Sequence, residues 1–366
     1  MRGGARPGVR AGRKTGDVTL MAQARPLDVP ELCSPIHQNQ NQNTMPTFRH
    51  TLAALCSLLL PILSHAAGDA GTCRYVPVAK LPIDYSDAAR RATVEGSING
   101  KPTRMIIDTG SYMTVLFRPA AERLGLPLDI TGKYSSGVGG ASVNLTTRVD
   151  DFAFGGMRTG RVPMRVLGNA SVADGDGLVG VDFLLQADME LSLADRYLQF
   201  FRPSGCADTY LAYWDSNAME IPFSGKEERS NKPYVTVQLN GVKLNAMLDT
   251  GAPRSIVTRH GAELAGIKPD AAGVHGGGKV GGIGDEHVDA WFATFDSFAI
   301  GPESMKNVEL QVLDDSSLGR VGRFDMVLGI DFLRVHRILF AMSQDRLYMS
   351  YLGGDPFPPR RTVAAH

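Results

Sequence analysis

The triplet Asp-Thr-Gly occurs twice in the chain, at residues 108–110 and 249–251, each time at the end of a short apolar run. Downstream, Leu-Val-Gly-Val-Asp-Phe-Leu at 178–184 is matched by Val-Leu-Gly-Ile-Asp-Phe-Leu at 327–333. The same two motifs in the same order indicate an internal duplication. Each half then offers one carboxylate on a tight turn, which is what a two-carboxylate site on a pseudo-two-fold axis requires.

The repeat extends beyond the motifs. An Asn-Gly pair at 99–100 is matched by one at 240–241, which is the same offset of 141 positions that separates the two aspartates. The Asp-Phe-Leu segments are 149 positions apart, so the second copy has gained eight residues in between. The first half runs from about residue 80 to 201, and the second from about 219 to 351.

Each half is predicted to consist mostly of strands. Alternating apolar and polar residues flank both Asn-Gly pairs, a pattern typical of β-hairpins. A further short strand follows each triplet, and then one short helix, with Pro119 in its first turn and Gly125 at its end in the first copy. The pattern predicts an all-β protein with few short helices.

Composition narrows the function classes. The chain has 366 residues, of which 43% are hydrophobic and 21% charged, as in soluble globular proteins. Its formal net charge is zero, but residues 1–66 hold seven of the 38 basic and three of the 38 acidic residues. The remainder therefore has 31 basic and 35 acidic residues and is slightly acidic, so we expect no nucleic-acid partner.

The N-terminal region resembles a processed leader. A weakly basic start at Met45, an apolar run at 52–63 and small residues near 66–67 predict a signal peptide over 45–67. The run is too short to span a bilayer, which takes about 20 residues. We therefore expect export to the periplasm or medium without stable membrane insertion. Residues 1–44 are expected to be a disordered or untranslated leader.

Two of the four cysteines, Cys73 and Cys206, lie beyond this leader. An exported chain with two cysteines favours one disulfide between them, with two unpaired thiols as the alternative. We predict an N-terminal lobe at 73–202, a connector at 203–218, a C-terminal lobe at 219–351 and a disordered tail at 352–366.

The two spaced motifs resemble those of the retropepsin-like aspartic proteases, and the resemblance covers both halves. It implies two pseudo-symmetric β-barrel lobes with Asp108 and Asp249 as the catalytic pair. It also implies a supporting role for the residues that follow each aspartate. These are Thr109, Gly110, Ser111, Thr250 and Gly251.

Two adjacent carboxylates can supply both the base and the acid that peptide hydrolysis needs. Like charges about 3 Å apart cannot both ionise near neutral pH, so the pair shares one proton. The ionised member activates water and the protonated member donates to the substrate carbonyl. Ser111 can donate to its aspartate whereas Ala252 cannot, which predicts that Asp108 is the more readily ionised member.

Glycine-rich segments between the motifs are candidates for mobile hairpin tips, or flaps, over a cleft. Ordinary surface turns are the alternative. The candidate residues are Gly137, Gly139 and Gly140 in the first half and Gly281, Gly282 and Gly284 in the second.

Other aspartates and histidines of the chain are predicted to have no catalytic or metal-binding role. Asp182 and Asp331 precede Phe-Leu in both copies and are predicted to be helix N-caps. His260, His275 and His287 lack the spacing of metal ligands, so we expect neither a metal nor a cofactor.

The sequence thus favours a monomeric, single-chain, exported aspartic endopeptidase that acts on peptide or protein substrates. A catalytically silent peptide-binding protein of the same fold is the alternative. A self-processing or narrow maturation role is also compatible with the sequence.

Overall fold

The computed structural model describes residues 72–86, 90–155, 157–170, 172, 175–224, 232–284, 286–315 and 324–358. The predicted leader and signal peptide lie outside these residues. Within them, no helix has both the length and the apolar character needed to cross a membrane.

Short strands dominate the described chain, and its helices have four to six residues. The first half contains β1 (Arg74–Pro82), β2 (Asp84–Ser86), β3 (Arg91–Ile98), β4 (Lys101–Ile107), β5 (Val115–Phe117), α1 (Arg118–Arg123), β6 (Asp129–Gly137), β7 (Gly140–Val149), β8 (Phe152–Phe154), β9 (Met157–Arg158), β10 (Val162–Leu167), β11 (Gly177–Val179), α2 (Val181–Leu184), β12 (Asp188–Ser192) and β13 (Tyr197–Ser204). The second half contains β14 (Met219–Pro222), β15 (Tyr234–Leu239), β16 (Val242–Leu248), β17 (Ile256–Thr258), α3 (Arg259–Leu264), β18 (His275–Val280), β19 (Val288–Ile300), β20 (Glu303–Leu313), β21 (Met326–Leu328), α4 (Ile330–Leu333), β22 (His336–Ala341) and β23 (Arg346–Tyr351).

Each half builds one sheet of its own around the strands that precede and follow its Asp-Thr-Gly. The first sheet has the order β6-β7-β10-β5-β11-β4-β3-β8-β9, with β2 beside β3. The second has the order β15-β16-β21-β17-β20-β19-β18, and β15 also pairs with β19, which curls the sheet back on itself. The predicted all-β fold of two similar lobes is confirmed.

The two Asn-Gly pairs form the predicted hairpin turns. Asn99 and Gly100 have φ angles of 50° and 76°, and Asn240 and Gly241 have 51° and 77°. Two consecutive residues with positive φ are the signature of a type I′ turn, which suits the twist of antiparallel strands. These turns connect β3 to β4 and β15 to β16, and so fix the register of the strands that lead into the two aspartates.

A third sheet joins the halves, with the order β1-β13-β12-β22-β23-β14. Its central pair, β12 with β22, places a strand of each half side by side, with Leu191 opposite Ile338. A disulfide between Cys73 and Cys206 connects the residue before β1 to the segment after β13. The ends of both repeats therefore form one shared layer, and the boundaries drawn at 202 and 219 remain predictions.

The prediction of a disordered tail is wrong for its first seven residues. Phe357 is buried and its ring lies 5.1 Å from that of Phe298 and 5.7 Å from that of Phe332. Arg334 Nη2 also donates to Asp355 O at 2.8 Å. Burial of one large aromatic ring stabilises a segment that has few other apolar residues. Residues 359–366 lie outside the described chain.

Candidate active site

Asp108 and Asp249 each follow directly on a buried strand of their own half, β4 and β16. The backbone N–H of Asp108 donates to Val179 O at 3.0 Å, and that of Asp249 to Leu328 O at 2.9 Å. Parallel pairing of β4 with β11, and of β16 with β21, thus continues up to the aspartates themselves. Each side chain starts from a rigid strand end, which is the support that a precise site requires.

Thr109 and Thr250 hold the halves together beneath the aspartates through four reciprocal hydrogen bonds. The N–H of each threonine donates to the hydroxyl of the other at 3.0 Å. Each hydroxyl then donates at 2.8 Å across the interface, Thr109 to Leu248 O and Thr250 to Ile107 O. Both side chains are buried, and the N–H and hydroxyl of each threonine find their partners in the opposite half.

Glycine in each motif makes room for the aspartate of the other. A Cβ on Gly110 would lie 2.6 Å from Asp249 Oδ1, and one on Gly251 would lie 2.5 Å from Asp108 Cγ. No side chain larger than hydrogen fits at these distances. Glycine at both positions therefore leaves the room that the two carboxyls need to approach each other. The structure therefore brings together Asp108, Asp249 and all four predicted threonine and glycine neighbours.

The carboxyls of Asp108 and Asp249 are hydrogen-bonded to each other. Burial raises the pKa of Asp108 well above its ordinary value, and repulsion from Asp249 raises it further. Burial also raises the pKa of Asp249, but the N–H groups of Gly251 and Ala252 oppose this by donating to Oδ1 at 2.8 and 3.2 Å. Asp249 thus has two backbone donors where Asp108 has that of Ser111, which favours ionisation of Asp249 with the shared proton on Asp108.

The predicted hydrogen bond from the Ser111 hydroxyl to Asp108, on which the greater acidity of Asp108 rested, is wrong. The Ser111 hydroxyl donates to Met113 O at 2.9 Å and not to its aspartate. Ser111 lowers the pKa of Asp108 through its backbone N–H, and Ala252 has the same kind of donor at 3.2 Å from Asp249 Oδ1, to which Gly251 adds a second. The asymmetry of the pair comes from backbone geometry.

The segments around Gly180 and Gly329 lie against the loops that carry the aspartates. Val181 N donates to Ser111 O at 3.0 Å, and Ile330 N to Ala252 O at 2.8 Å. A Cβ on Gly180 would lie 2.6 Å from the Met113 carbonyl carbon, so this contact needs glycine. Each half thereby braces its own aspartate loop from behind.

The prediction that Asp182 and Asp331 are helix N-caps is wrong. Gly180 and Gly329 occupy the N-cap positions, and the two aspartates lie in the first turns of α2 and α4. Asp182 Oδ1 instead accepts from the N–H and hydroxyl of Thr114, both at 2.8 Å. Asp331 Oδ1 accepts from the same two groups of Ser255, both at 2.7 Å. These carboxylates fasten the short helices to the strands that follow the motifs.

Comparison with known proteins agrees with this geometry. The profile of the family described as "Aspartyl protease" matches residues 94–183 and 235–332, so it covers both aspartates and just over half of the chain. The chain belongs to the aspartyl protease family. It is also 32% identical over 93 residues to Secreted aspartic protease 9 of Candida albicans, an alignment that covers 24% of the chain and 16% of that protein.

The two glycine-rich segments of the chain form hairpin tips that contact each other. Residues 137–140 connect β6 to β7, and residues 281–284 begin the longer loop between β18 and β19. Glu286 N donates to Gly139 O at 3.0 Å, and Gly284 N to Val138 O at 3.4 Å. Five of the six predicted glycines face the opposite tip, whereas Gly281 faces His287 of its own loop.

Each tip also inserts an apolar side chain into the opposite half. Val138, from the first half, packs on a second-half cluster that reaches Ala252, and Ile283 packs on a first-half cluster that reaches Met113. Both clusters thus extend to residues that follow the motifs. The second-half cluster contains Tyr234, Met247, Ile256, Ala290, Leu313, Phe324 and Val327. The first-half cluster contains Ile106, Val115, Phe117, Leu167, Ala170 and Leu178.

Lys232, the residue that precedes Pro233 and β15, belongs to none of the motifs from which the site was predicted. Its ammonium lowers the pKa of both Asp108 and Asp249. One signal was available in the sequence, because the repeat offset of 141 places a second basic residue, Arg91, at the equivalent position. Among the described residues, no group of three or more His, Cys, Asp or Glu side chains has an arrangement suited to a metal ion.

The raised pKa of Asp108 predicts that the free energy of unfolding falls as the pH rises toward neutral. The folded state binds this proton more tightly than the unfolded state, so wild-type stability falls as pH rises from the ordinary carboxyl value of 3.8 through the raised one. A tenfold difference in proton affinity between the two states is worth about 1.4 kcal/mol. In Asp108→Asn the uncharged amide should make this fall smaller.

Denaturant unfolding at a series of pH values measures the effect, with Asp129→Asn, at an exposed position, as the control. Equal slopes of unfolding free energy against pH for wild type and Asp108→Asn would contradict the expected coupling.

Proposed function

We propose that the protein is an aspartic endopeptidase in which Asp108 and Asp249 together activate the water that cleaves a peptide bond. The observation that carries this proposal is the hydrogen-bonded carboxyl pair, formed across two halves that four threonine bonds hold in place. Membership of the aspartyl protease family supports the reaction class.

The protonation of the pair assigns a role to each member. Ionised Asp249 accepts a proton from water as the water oxygen bonds to the carbonyl carbon of the substrate. Protonated Asp108 donates to the carbonyl oxygen and stabilises the charge that develops there. When the tetrahedral intermediate collapses, the C–N bond breaks and the proton held by Asp249 passes to the leaving amine. The pair ends with the single proton it started with.

Both carboxyls come from one chain, so the proposed enzyme is a monomer with an internal pseudo-two-fold axis and needs no partner subunit for its pair. The hairpin tips serve as flaps that close over a bound peptide and exclude water. The disulfide between Cys73 and Cys206 and the name of the secreted fungal relative support export.

The substrate class follows from the two apolar clusters beside the pair. Val138 and Ile283 occupy them in the present arrangement, and large apolar side chains of a peptide can make the same kind of contact. We therefore expect cleavage between apolar residues.

A peptide-library digest tests the reaction. The wild type should cleave between large apolar residues in acidic solution, and Asp108→Asn and Asp249→Asn should each lower kcat/KM by at least about 1,000-fold, because each removes one half of the proton exchange. A statine-type inhibitor should block the wild type. Cleavage that survives in both variants would refute the assignment, and inhibitor binding by a wild type that cleaves nothing would identify a silent peptide-binding protein.

The contact between the flaps yields a second prediction. A methyl group on Gly284 would overlap Gly139 O, whereas one on Gly276, in β18 of the same hairpin, would meet no atom within 4 Å. Gly284→Ala should therefore lower kcat/KM on the order of tenfold, because the flaps can no longer close together. Gly276→Ala is the matched control and should retain wild-type values. Equal kinetics for both variants would show that the tip contact has no part in turnover.

A further inference from the structure

Lys232 forms a contact across the two halves beside the aspartate pair. Its side chain belongs to the second half and is 8% exposed, and its Nζ lies 3.7 Å from the ring centroid of Tyr112. Tyr112 belongs to the first half and is the second residue after the Asp-Thr-Gly at 108–110. An ammonium at this distance from an aromatic face is attracted by the ring electrons, so the tyrosine holds the cation in place.

The position of this cation gives it a direct electrostatic effect on the pair. Its charge lowers the pKa of Asp249, which lies in its own half, and that of Asp108, which lies in the other half with Tyr112. Attraction to a nearby positive charge favours the ionised form of a carboxyl. The backbone N–H groups that donate to the carboxyls act in the same direction, but Lys232 carries a full charge that a single substitution can remove.

The arrangement exists on one side of the pseudo-two-fold axis. The repeat offset of 141 makes Pro253 the equivalent of Tyr112, and Arg91 the equivalent of Lys232. Proline has no aromatic ring, so the first-half basic residue cannot be held by the same contact. The contact between Lys232 and Tyr112 therefore has no symmetric counterpart and is added on one side of the axis to the symmetric threonine junction.

We propose that Lys232, held by Tyr112, is a positioning residue that sets the pH range in which the aspartate pair carries a single proton. This inference rests on the proposed function, because the singly protonated pair is the form that the hydrolysis uses. The cation stabilises that form against the fully protonated pair, and so extends activity toward acid. It also stabilises the doubly ionised pair, and so lowers the pH at which activity is lost on the alkaline side.

A lysine that only joined the halves would behave differently. Its loss would lower the melting temperature and the amount of folded protein. The enzyme that remained folded would keep the wild-type pH dependence of kcat/KM. A shift of both limbs of a pH profile is an electrostatic signature that packing alone does not produce.

The test compares wild type with Lys232→Met, which keeps the length of the side chain without its charge, and with Lys232→Arg, which keeps the charge. In Lys232→Met both limbs of the kcat/KM profile should move to higher pH by about one unit or more. Lys232→Arg should stay close to the wild type. Unmoved limbs in Lys232→Met, or an equal shift in both variants, would overturn the proposal.

A second readout works without turnover. The side-chain carboxyl carbons of ¹³C-aspartate-labelled protein report the titration of the pair, and Asp108→Asn and Asp249→Asn assign their signals. The apparent pKa values of the pair should rise in Lys232→Met and stay in place in Lys232→Arg. Absence of wild-type cleavage would refute the proposed function while this titration still decides the role of Lys232. Failure of Lys232→Met and Lys232→Gln alike to fold would overturn the proposal in favour of a purely structural role.

Discussion

The reciprocal hydrogen bonds of Thr109 and Thr250 are the constraint on which the rest of the site depends. They bind the end of each central strand to the turn of the opposite half, directly below the carboxyls. Because each threonine uses its N–H and its hydroxyl in the same way, the junction is symmetric and fully satisfied. Asp108 and Asp249 are thereby held at a separation that neither half could fix alone.

Holding two carboxyls together in a buried site is electrostatically unfavourable, and the surrounding groups reduce this effect. Burial and mutual repulsion oppose ionisation of the pair, so one carboxyl keeps its proton. The negative charge is placed on Asp249, where two backbone N–H groups stabilise it as hydrogen-bond donors. Lys232 adds a positive charge from the side of Tyr112. A site that is symmetric in its hydrogen bonds therefore becomes asymmetric in its charge, which gives the two aspartates different roles.

Local and repeated features of this structure were predictable from the sequence. The Asn-Gly turns depend on two adjacent residues with positive φ, and the duplicated motifs identify the aspartates, threonines and glycines that converge. The features that were missed depend on distant partners. Asp182 bonds to Thr114, 68 positions away, in preference to capping its own helix, and Phe357 is buried only because rings from earlier elements receive it.

The acceptor of the Ser111 hydroxyl is a second feature that the sequence could not predict. Its possible acceptors include its own aspartate and the Met113 carbonyl, both within a few residues, and the backbone path decides between them. Composition and spacing carry no information about that path. The contact of Lys232 with Tyr112 combines both difficulties, since the partners lie in different halves and neither belongs to a repeated motif.

Neutron diffraction from crystals grown in acidic solution locates hydrogen between the two carboxyls and so tests whether Asp108 and Asp249 share one proton. One shared deuteron is expected, bonded to Asp108 and directed at Asp249, with backbone N–H groups donating to Asp249. Two carboxyls that lie out of hydrogen-bonding contact, or a pair that carries no deuteron between its oxygens, would contradict it.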